Sequence, residues 1–301
     1  MANALIEFSN ELANSVQRGG ESVVAVKEGG RSGVSGTVWN KGVVITAEHT
    51  IRGREEVTIV LPSGKTTSAL VAGRDPGTDI AVLKVPEGAS VLPEFADPAQ
   101  LRPGNVVLAL GRSVENGLMA SYGIVSAIGG TWRTWQGGRI DQWLRLDLNP
   151  YPGFSGGALV DAGGRVLGIN TSGPRRNVVT IPKVTVDRIK DQLLTKGRIT
   201  RGYLGIGGQP VSIPATANQK ENLGETSGLL VVTVARGGPA AKAGVMIGDI
   251  ILSMEGNPIE QPADLLALLE PDTVGKTLGV HLLRGGAVID LKVKIGEREA
   301  D

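Results

Sequence analysis

Cysteine is absent from all 301 residues, which excludes disulfides, thiolate nucleophiles and cysteine-based zinc sites. Histidine is nearly as scarce, with two in the whole chain, His49 and His281. Two imidazoles far apart in sequence, with no thiolate to join them, supply no ligand cluster, so neither a metal nor another cofactor is expected. Excess charge is also lacking: 31 Lys and Arg stand against 30 Asp and Glu, for a net charge of +1. No basic run stands out either, so nucleic acid is not an expected partner. The pattern GxxxxGK[ST] is missing, and with it any sign of nucleotide-driven work. The first 20 residues, MANALIEFSNELANSVQRGG, lack both a basic start and an unbroken apolar stretch. They therefore predict neither a secretory signal nor a membrane span. As written, the chain is expected in the cytoplasm; a targeting segment lost from its front would put it in the cell envelope or periplasm instead.

What is present is glycine, 44 residues of it, in a chain that is 41% hydrophobic and 20% charged. That composition is globular and favours short strands joined by tight turns. After a predicted amphipathic helix over residues 4–17, carried by Leu5, Phe8, Leu12 and Val16, β-rich runs recur at turn-sized intervals. They fall at 22–26, 33–39, 43–46, 56–60, 81–85, 106–111, 121–129, 142–146, 158–160 and 166–171. So many short strands over about 150 residues predict a barrel or sandwich and not alternating β and α units. A helix from Lys183 to Lys196 follows, with Val186, Ile189, Leu193 and Leu194 on one side and Gly197 placed to stop it. Residues 198–202 read as a linker. Beyond them strands at 228–234, 249–254, 277–283 and 288–295 surround helices at 239–243 and 263–269, an α+β domain over 203–297. Residues 212–225 form a loosely low-complexity stretch.

The sharpest local pattern is Gly153-Phe154-Ser155-Gly156-Gly157. A reactive serine needs an exposed Oγ on a turn whose backbone N–H groups face a developing negative oxygen, and glycines permit that turn. Taken alone, the string fits an ordinary β-turn equally well. His49 adds weight, because it closes Val43-Val44-Ile45-Thr46-Ala47-Glu48-His49, where an apolar strand runs into a polar turn. A general base belongs on such a rigid, solvent-reachable end. His281 lies within a strand of the second domain and reads as an ordinary strand residue. For the carboxylate, Asp79 leads straight from a turn into Ile80-Ala81-Val82-Leu83, whereas its neighbour Asp75 precedes Pro76 and reads as a turn residue. An aspartate at the edge of a core can hold an imidazole in one tautomer. The chain order His, Asp, Ser is that of chymotrypsin-type barrels and differs from the α/β-hydrolase order.

On these strings the chain resembles the Deg/HtrA family of serine proteases. The likeness runs through Gly33-Val34-Ser35-Gly36-Thr37-Val38, the segments around His49 and Asp79, Gly123-Ile124-Val125-Ser126-Ala127-Ile128-Gly129, Ser155-Gly156-Gly157-Ala158-Leu159-Val160-Asp161, Gly168-Ile169-Asn170-Thr171 and Ile181-Pro182. It implies a mainly β fold, with a chymotrypsin-like double β-barrel protease domain over 1–197 followed by a PDZ domain over 203–297. It also implies Ser155 as nucleophile, His49 as base, Asp79 as orienter, and the N–H groups of Gly153 and Ser155 as an oxyanion hole. Three departures stand out. Phe154 occupies a position where the family usually has Asn, and Asn149-Pro150-Tyr151-Pro152 differs from the usual loop. The turn Trp39-Asn40-Lys41-Gly42 is short where some members carry a long regulatory loop. With Asp147 the sole acidic residue just upstream of the loop and Ile169 a candidate pocket wall, the resemblance implies small aliphatic residues before the cut.

In the second domain Tyr203-Leu204-Gly205-Ile206 resembles the carboxylate-binding loop of PDZ domains, supported by Gly237-Gly238-Pro239-Ala240 and Gly248-Asp249-Ile250-Ile251-Leu252. Peptide C-termini are the implied ligands, laid along the neighbouring strand, with Leu265 of the facing helix as a side-chain contact. The resemblance further implies an ATP-independent endopeptidase acting on unfolded or misfolded proteins in quality control, assembled as a homo-trimer through the N-terminal segment. The competing expectation is a peptide-binding or chaperone protein whose protease half survives as a scaffold.

Overall fold

The computed structural model describes residues 2–28, 31–86, 91–134, 136–149, 151–172, 178–214 and 226–297. The polar stretch over 212–225 and Pro150 of the loop before Ser155 therefore fall wholly or largely outside the described residues. The chain divides into two compact units, Met1–Ile199 and Thr200–Asp301.

The first unit opens with helix α1 (Ala2–Gly20), which runs three residues past the expected end at residue 17. Helix propensity argues against Gly19-Gly20, but packing overrides it. A Cβ on Gly19 would sit 2.8 Å from Leu110 Cδ1, and one on Gly20 would sit 2.4 Å from Leu118 Cδ2. Close approach demands glycine there, and the last turn forms because it is pressed into the barrel wall. Leu12 and Val16 pack on the core, whereas Leu5 and Phe8, on the same sequence stripe, are exposed.

Strands β1 (Val23–Glu28), β2 (Arg31–Asn40), β3 (Val43–Ala47), β4 (Glu56–Val60), β5 (Thr66–Asp75) and β6 (Ile80–Lys84) close into a barrel in the order β1-β2-β3-β6-β5-β4. A second set comprises β7 (Val106–Ser113), β8 (Gly117–Gly129), the small hairpin β9 (Trp132–Arg133) and β10 (Arg139–Ile140), β11 (Trp143–Asp147), β12 (Ala158–Asp161), β13 (Val166–Ser172) and β14 (Val178–Pro182). Here six strands run β11-β8-β7-β12-β13-β14, with β11 and β14 brought together to make a nearly closed barrel. The apolar runs of the sequence fill three clusters: one inside the first barrel around Val24, Val44, Ile59 and Leu83, one on Val107, Val125, Leu159 and Leu167, and a larger one between the barrels. That last cluster joins Ile45, Ile80, Leu110, Val160 and Ile169 with Val186, Ile189 and Leu193 of helix α2 (Lys183–Lys196). Each fully buried aliphatic side chain of this size contributes about 1.5–3 kcal/mol, so the seam between the barrels is held as firmly as either interior. Gly197 ends α2 in the left-handed conformation, φ 75°, its N–H donating to the Leu193 carbonyl. Ile169, expected at a pocket wall, is fully buried in this seam. It belongs to the core because residue 169 faces inward from β13.

The second unit contains β15 (Gly202–Tyr203), β16 (Ile206–Ile213), β17 (Thr226–Val234), helix α3 (Pro239–Lys242), β18 (Ile250–Met254), β19 (Asn257–Pro258), helix α4 (Pro262–Leu268), β20 (Thr277–Arg284), β21 (Ala287–Lys294) and β22 (Gly296–Glu297). Its main sheet is ordered β16-β17-β18-β20-β21, so β16 is an edge strand. Asp249 is 1% exposed, paired with Arg284 at 2.7 Å through both carboxylate oxygens and accepting from the Met246 amide at 2.8 Å. Desolvation alone would raise its pKa, but those hydrogen bonds and the guanidinium charge together hold the carboxyl below its ordinary range. His281 lies on β20 opposite Asp290 of β21 and is bonded to its carboxylate, a cross-strand pair on an exposed surface. Among the described residues no helix is long and apolar enough to cross a membrane.

Candidate active site

β3 delivers His49. The strand buries Val44, Ile45 and Ala47 and then tightens into a 3₁₀ turn, Glu48–Thr50, which lifts the imidazole out of the barrel to partial exposure. β6 delivers Asp79 from the adjacent strand end, since Ala47 pairs with Ile80. Asp79 itself is left-handed, φ 58°, a conformation that short polar side chains tolerate better than others. The turn before it is built by Asp75, whose carboxylate accepts from the amides of Gly77 and Thr78 and from Thr78 Oγ1. The second barrel braces that turn: Thr134 Oγ1 donates to the Gly77 carbonyl at 2.6 Å, and Gly138 lies so close that a Cβ would fall 2.1 Å from the same oxygen.

The structure brings His49 and Asp79 together. Asp79 Oδ1 accepts from the His49 backbone amide at 2.8 Å, and Oδ2 lies 2.7 Å from Nδ1. Thr171 Oγ1 donates to the same Oδ2. The hydrogen bond that the ring donates to Asp79 raises the His49 pKa above its ordinary 6.5; partial burial opposes it, and the negative charge of Asp79 and Glu48 adds to the rise. A doubly held carboxylate leaves Nδ1 as a donor and Nε2 free to accept a proton.

Ser155 lies on a turn between Tyr151 and β12. Gly153 has φ 96° and Gly156 φ 83°, values that only glycine adopts freely. Space requires glycine at 156 as well, where a Cβ would fall 2.0 Å from the Ser35 carbonyl. Phe154 is 3% exposed and its ring stands 5.9 Å from that of Tyr151. The residue that replaces the family's usual Asn thus anchors the turn by burial, worth about 2–3 kcal/mol. Behind the turn sits Ser35, fully buried, whose Oγ donates to the Gly153 carbonyl at 2.6 Å and accepts from the Arg112 amide at 2.8 Å. Its own amide donates to the Ser155 carbonyl at 3.0 Å. With the Gly153 carbonyl pulled back by Ser35, the amides of Gly153 and Ser155 donate to no acceptor among the described residues.

The Ser155 hydroxyl is bonded to Ser172 Oγ at 3.0 Å, and no hydrogen bond joins it to the His49 ring. Ser155 and Asp79 are nevertheless linked closely: adjacent residues at the end of β13, Thr171 and Ser172, hold one each. Sequence reading assigned neither hydroxyl a role, nor Ser35. The signal available was a pair of hydroxyl residues ending an apolar strand, Thr171-Ser172, and a serine between glycine-rich β residues.

In the second unit Leu204 and Leu265 are both buried in the core, at 2% and 6% exposure, while Tyr203 and Ile206 are half-buried. Gly205 is left-handed, φ 82°, which turns the chain between β15 and β16. The carbonyls of Leu204 and Gly205 accept from Ala240 and Ala235. The amides of Leu204 and Gly205 donate to no acceptor among the described residues, and α4 packs beside the strand β16 that follows them.

Comparison with known proteins agrees with both halves. The family model for the trypsin-like peptidase domain matches residues 34–169, and that for the PDZ domain matches residues 202–295. The serine protease Do-like HtrA of Lactobacillus helveticus is 34% identical over 272 residues, covering 85% of this chain and 65% of its own length. A probable periplasmic serine endoprotease DegP-like of Brucella suis is 33% identical over 268 residues, covering 86% of this chain and 51% of its own. The chain thus spans less than two thirds of the length of these curated relatives. Among solved structures, the serine endoprotease from Yersinia pestis aligns at 30% identity and a TM-score of 0.76 over 96% of this chain and 98% of that one. The HtrA-type protease AlgW with decapeptide aligns at 26% identity and a TM-score of 0.76 over 96% and 99%.

Proposed function

This chain belongs to the Deg/HtrA family of serine proteases, and on that premise we propose that it is an ATP-independent endopeptidase that cuts unfolded or misfolded proteins. The observation that carries the reading is the sharing of one strand end: Thr171 grips the carboxylate of Asp79, and Ser172, the next residue, grips the hydroxyl of Ser155. A turn about the Ser155 side-chain bond would carry Oγ from Ser172 toward Nε2 of His49. The ring then takes the hydroxyl proton while Oγ attacks the peptide carbonyl carbon. The carbonyl oxygen becomes negative between the amides of Gly153 and Ser155, which donate to no acceptor among the described residues. Asp79 stabilises the imidazolium so formed. That cation returns its proton to the departing amine as the C–N bond breaks, leaving an acyl ester on Ser155 that water hydrolyses by the same relay. The second unit would hold substrate C-termini, or a signalling peptide, at the amides of Leu204 and Gly205. The exposed Leu5, Ile6 and Phe8 of α1 support assembly into a trimer through this helix.

A fluorophosphonate probe with the labelled residue mapped, beside digestion of casein, tests the reading. Labelling at Ser155 and cleavage abolished in Ser155→Ala are expected. Equal, negligible cleavage by both proteins would overturn it and leave a peptide binder on a protease scaffold.

A further inference from the structure

β16 is paired on one side by β17 and, among the described residues, bare on the other. Which residues aim their backbone groups at the bare side follows from two sets of hydrogen bonds. The Ala235 amide donates to the Gly205 carbonyl at 2.8 Å, so the next pair, Ile206 with Val234, is one whose own N–H and C=O groups point away from each other. Val231 uses its N–H on Asp249 and its C=O on Gly248, both away from β16, which makes its partner Gly208 outward-facing too. The alternation then carries to Pro210, opposite Leu229. The free edge therefore offers a donor and an acceptor at Ile206, the same at Gly208, and an acceptor alone at Pro210, because proline has no N–H.

We propose that Pro210 sets how much of a captured chain this edge can pair, limiting it to roughly the last five residues of a peptide C-terminus. The inference rests on the reading of the Leu204 and Gly205 amides as the carboxylate cradle. An antiparallel peptide whose terminal carboxylate sits there has its last residue opposite Ile206. Its third residue from the end then exchanges two hydrogen bonds with Gly208. The fifth from the end meets Pro210, where its N–H finds the Pro210 carbonyl but its own carbonyl finds no donor. From that point the ladder has lost its regular pairing, and Pro210, exposed on the edge, turns a continuous template into a short one. Recognition is thus confined to a short terminal tag, which many unrelated unfolded chains can present, and is indifferent to what precedes it. The same proline keeps the bare edge from recruiting long strands of other copies.

The test uses the full chain carrying Ser155→Ala, so that peptides are not cut, and fluorescence anisotropy with labelled peptides of three, four, five and seven residues sharing one apolar C-terminus. Each is measured as free acid and as C-terminal amide. With Pro210 in place, the bond to the Pro210 carbonyl is the last the edge supplies, so affinity is expected to level off at five residues, with less than a twofold further gain at seven. In Pro210→Ala, and in Pro210→Val as a second variant, the four-residue peptide should bind as it does to the Pro210 protein and the seven-residue peptide roughly fivefold more tightly, the effect of about one added hydrogen bond. A gain of twofold or more from five to seven residues in the Pro210 protein, or no gain for the seven-residue peptide in either variant, overturns the inference. If no free acid binds more tightly than its amide, it is the carboxylate cradle that fails, and the length limit falls with it.

Discussion

Asp79→Asn removes one charge while keeping the shape of the turn, because Asn shares with Asp a tolerance for the left-handed φ of 58° found there. The consequence for the site follows from who holds which oxygen. Oδ1 accepts from the His49 amide at 2.8 Å, and Oδ2 faces Nδ1 at 2.7 Å and receives Thr171 Oγ1. Asn satisfies the backbone amide with its one oxygen and places its NH₂ where Oδ2 was. The ring must then accept at Nδ1, which moves its proton to Nε2, the nitrogen that has to receive the Ser155 proton. Loss of the base in this way is expected to lower kcat/KM by about 10⁴, or about 5.5 kcal/mol of barrier. The pH profile supplies a second reading. The hydrogen bond donated to Asp79 raises the His49 pKa above 6.5, and a base works only when neutral. Wild-type activity should therefore climb as pH rises through that elevated value. In Asp79→Asn the acid limb of the residual activity should shift to lower pH, since the group that favoured the cation is gone. A fluorogenic peptide assayed from pH 5 to 9 gives both quantities. A loss of less than tenfold, or an acid limb that does not move, would refute the assignment of Asp79 as the orienting carboxylate.

Ser172→Ala removes the hydroxyl to which Ser155 is bonded at 3.0 Å, so labelling of Ser155 by a fluorophosphonate should speed up by about fivefold, the effect of one hydrogen bond; an unchanged or slower rate counts against Ser172 as a competitor of His49. Ile6→Lys with Phe8→Glu places charge on the exposed apolar face of α1. Sedimentation velocity should then show a monomer in place of a trimer, with folding stability altered by no more than about 0.5 kcal/mol because neither side chain is in the core. A wild-type protein that sediments as a monomer at every concentration removes the trimer.

The strings around His49, Asp79 and Ser155 could be read from sequence because each joins an apolar strand to a polar or glycine-rich turn. That signal is local, and the barrels bring these strand ends together. What escaped is what depends on contacts distant in sequence. The extra turn of α1 at Gly19-Gly20 forms against Leu110 and Leu118, some ninety residues on, and local propensity points the other way. Ile169 was expected at a pocket wall from its string alone, but β13 is buried along nearly all its length and the side chain packs into the seam. Ser172 and Ser35 are single hydroxyls, and nothing short of the folded chain says which polar atom a hydroxyl will meet. Pro210 was visible as a residue, yet its meaning depends on which side of β16 is bare, and that is a property of the assembled sheet.

Ser35 has a consequence for the aperture as a whole. One hydroxyl that is out of contact with solvent ties a strand of the first barrel to the Arg112 amide on the second and to the Gly153 carbonyl beside the reactive turn. Spreading the two barrels would strand all of these polar atoms without water to replace the lost partners, a cost of about 1–3 kcal/mol for each. The two barrels are therefore held at a fixed spacing beside the reactive turn. On the proposed reading, discrimination would fall on the incoming polypeptide, which would have to be slack enough to lie across the site as a single thread.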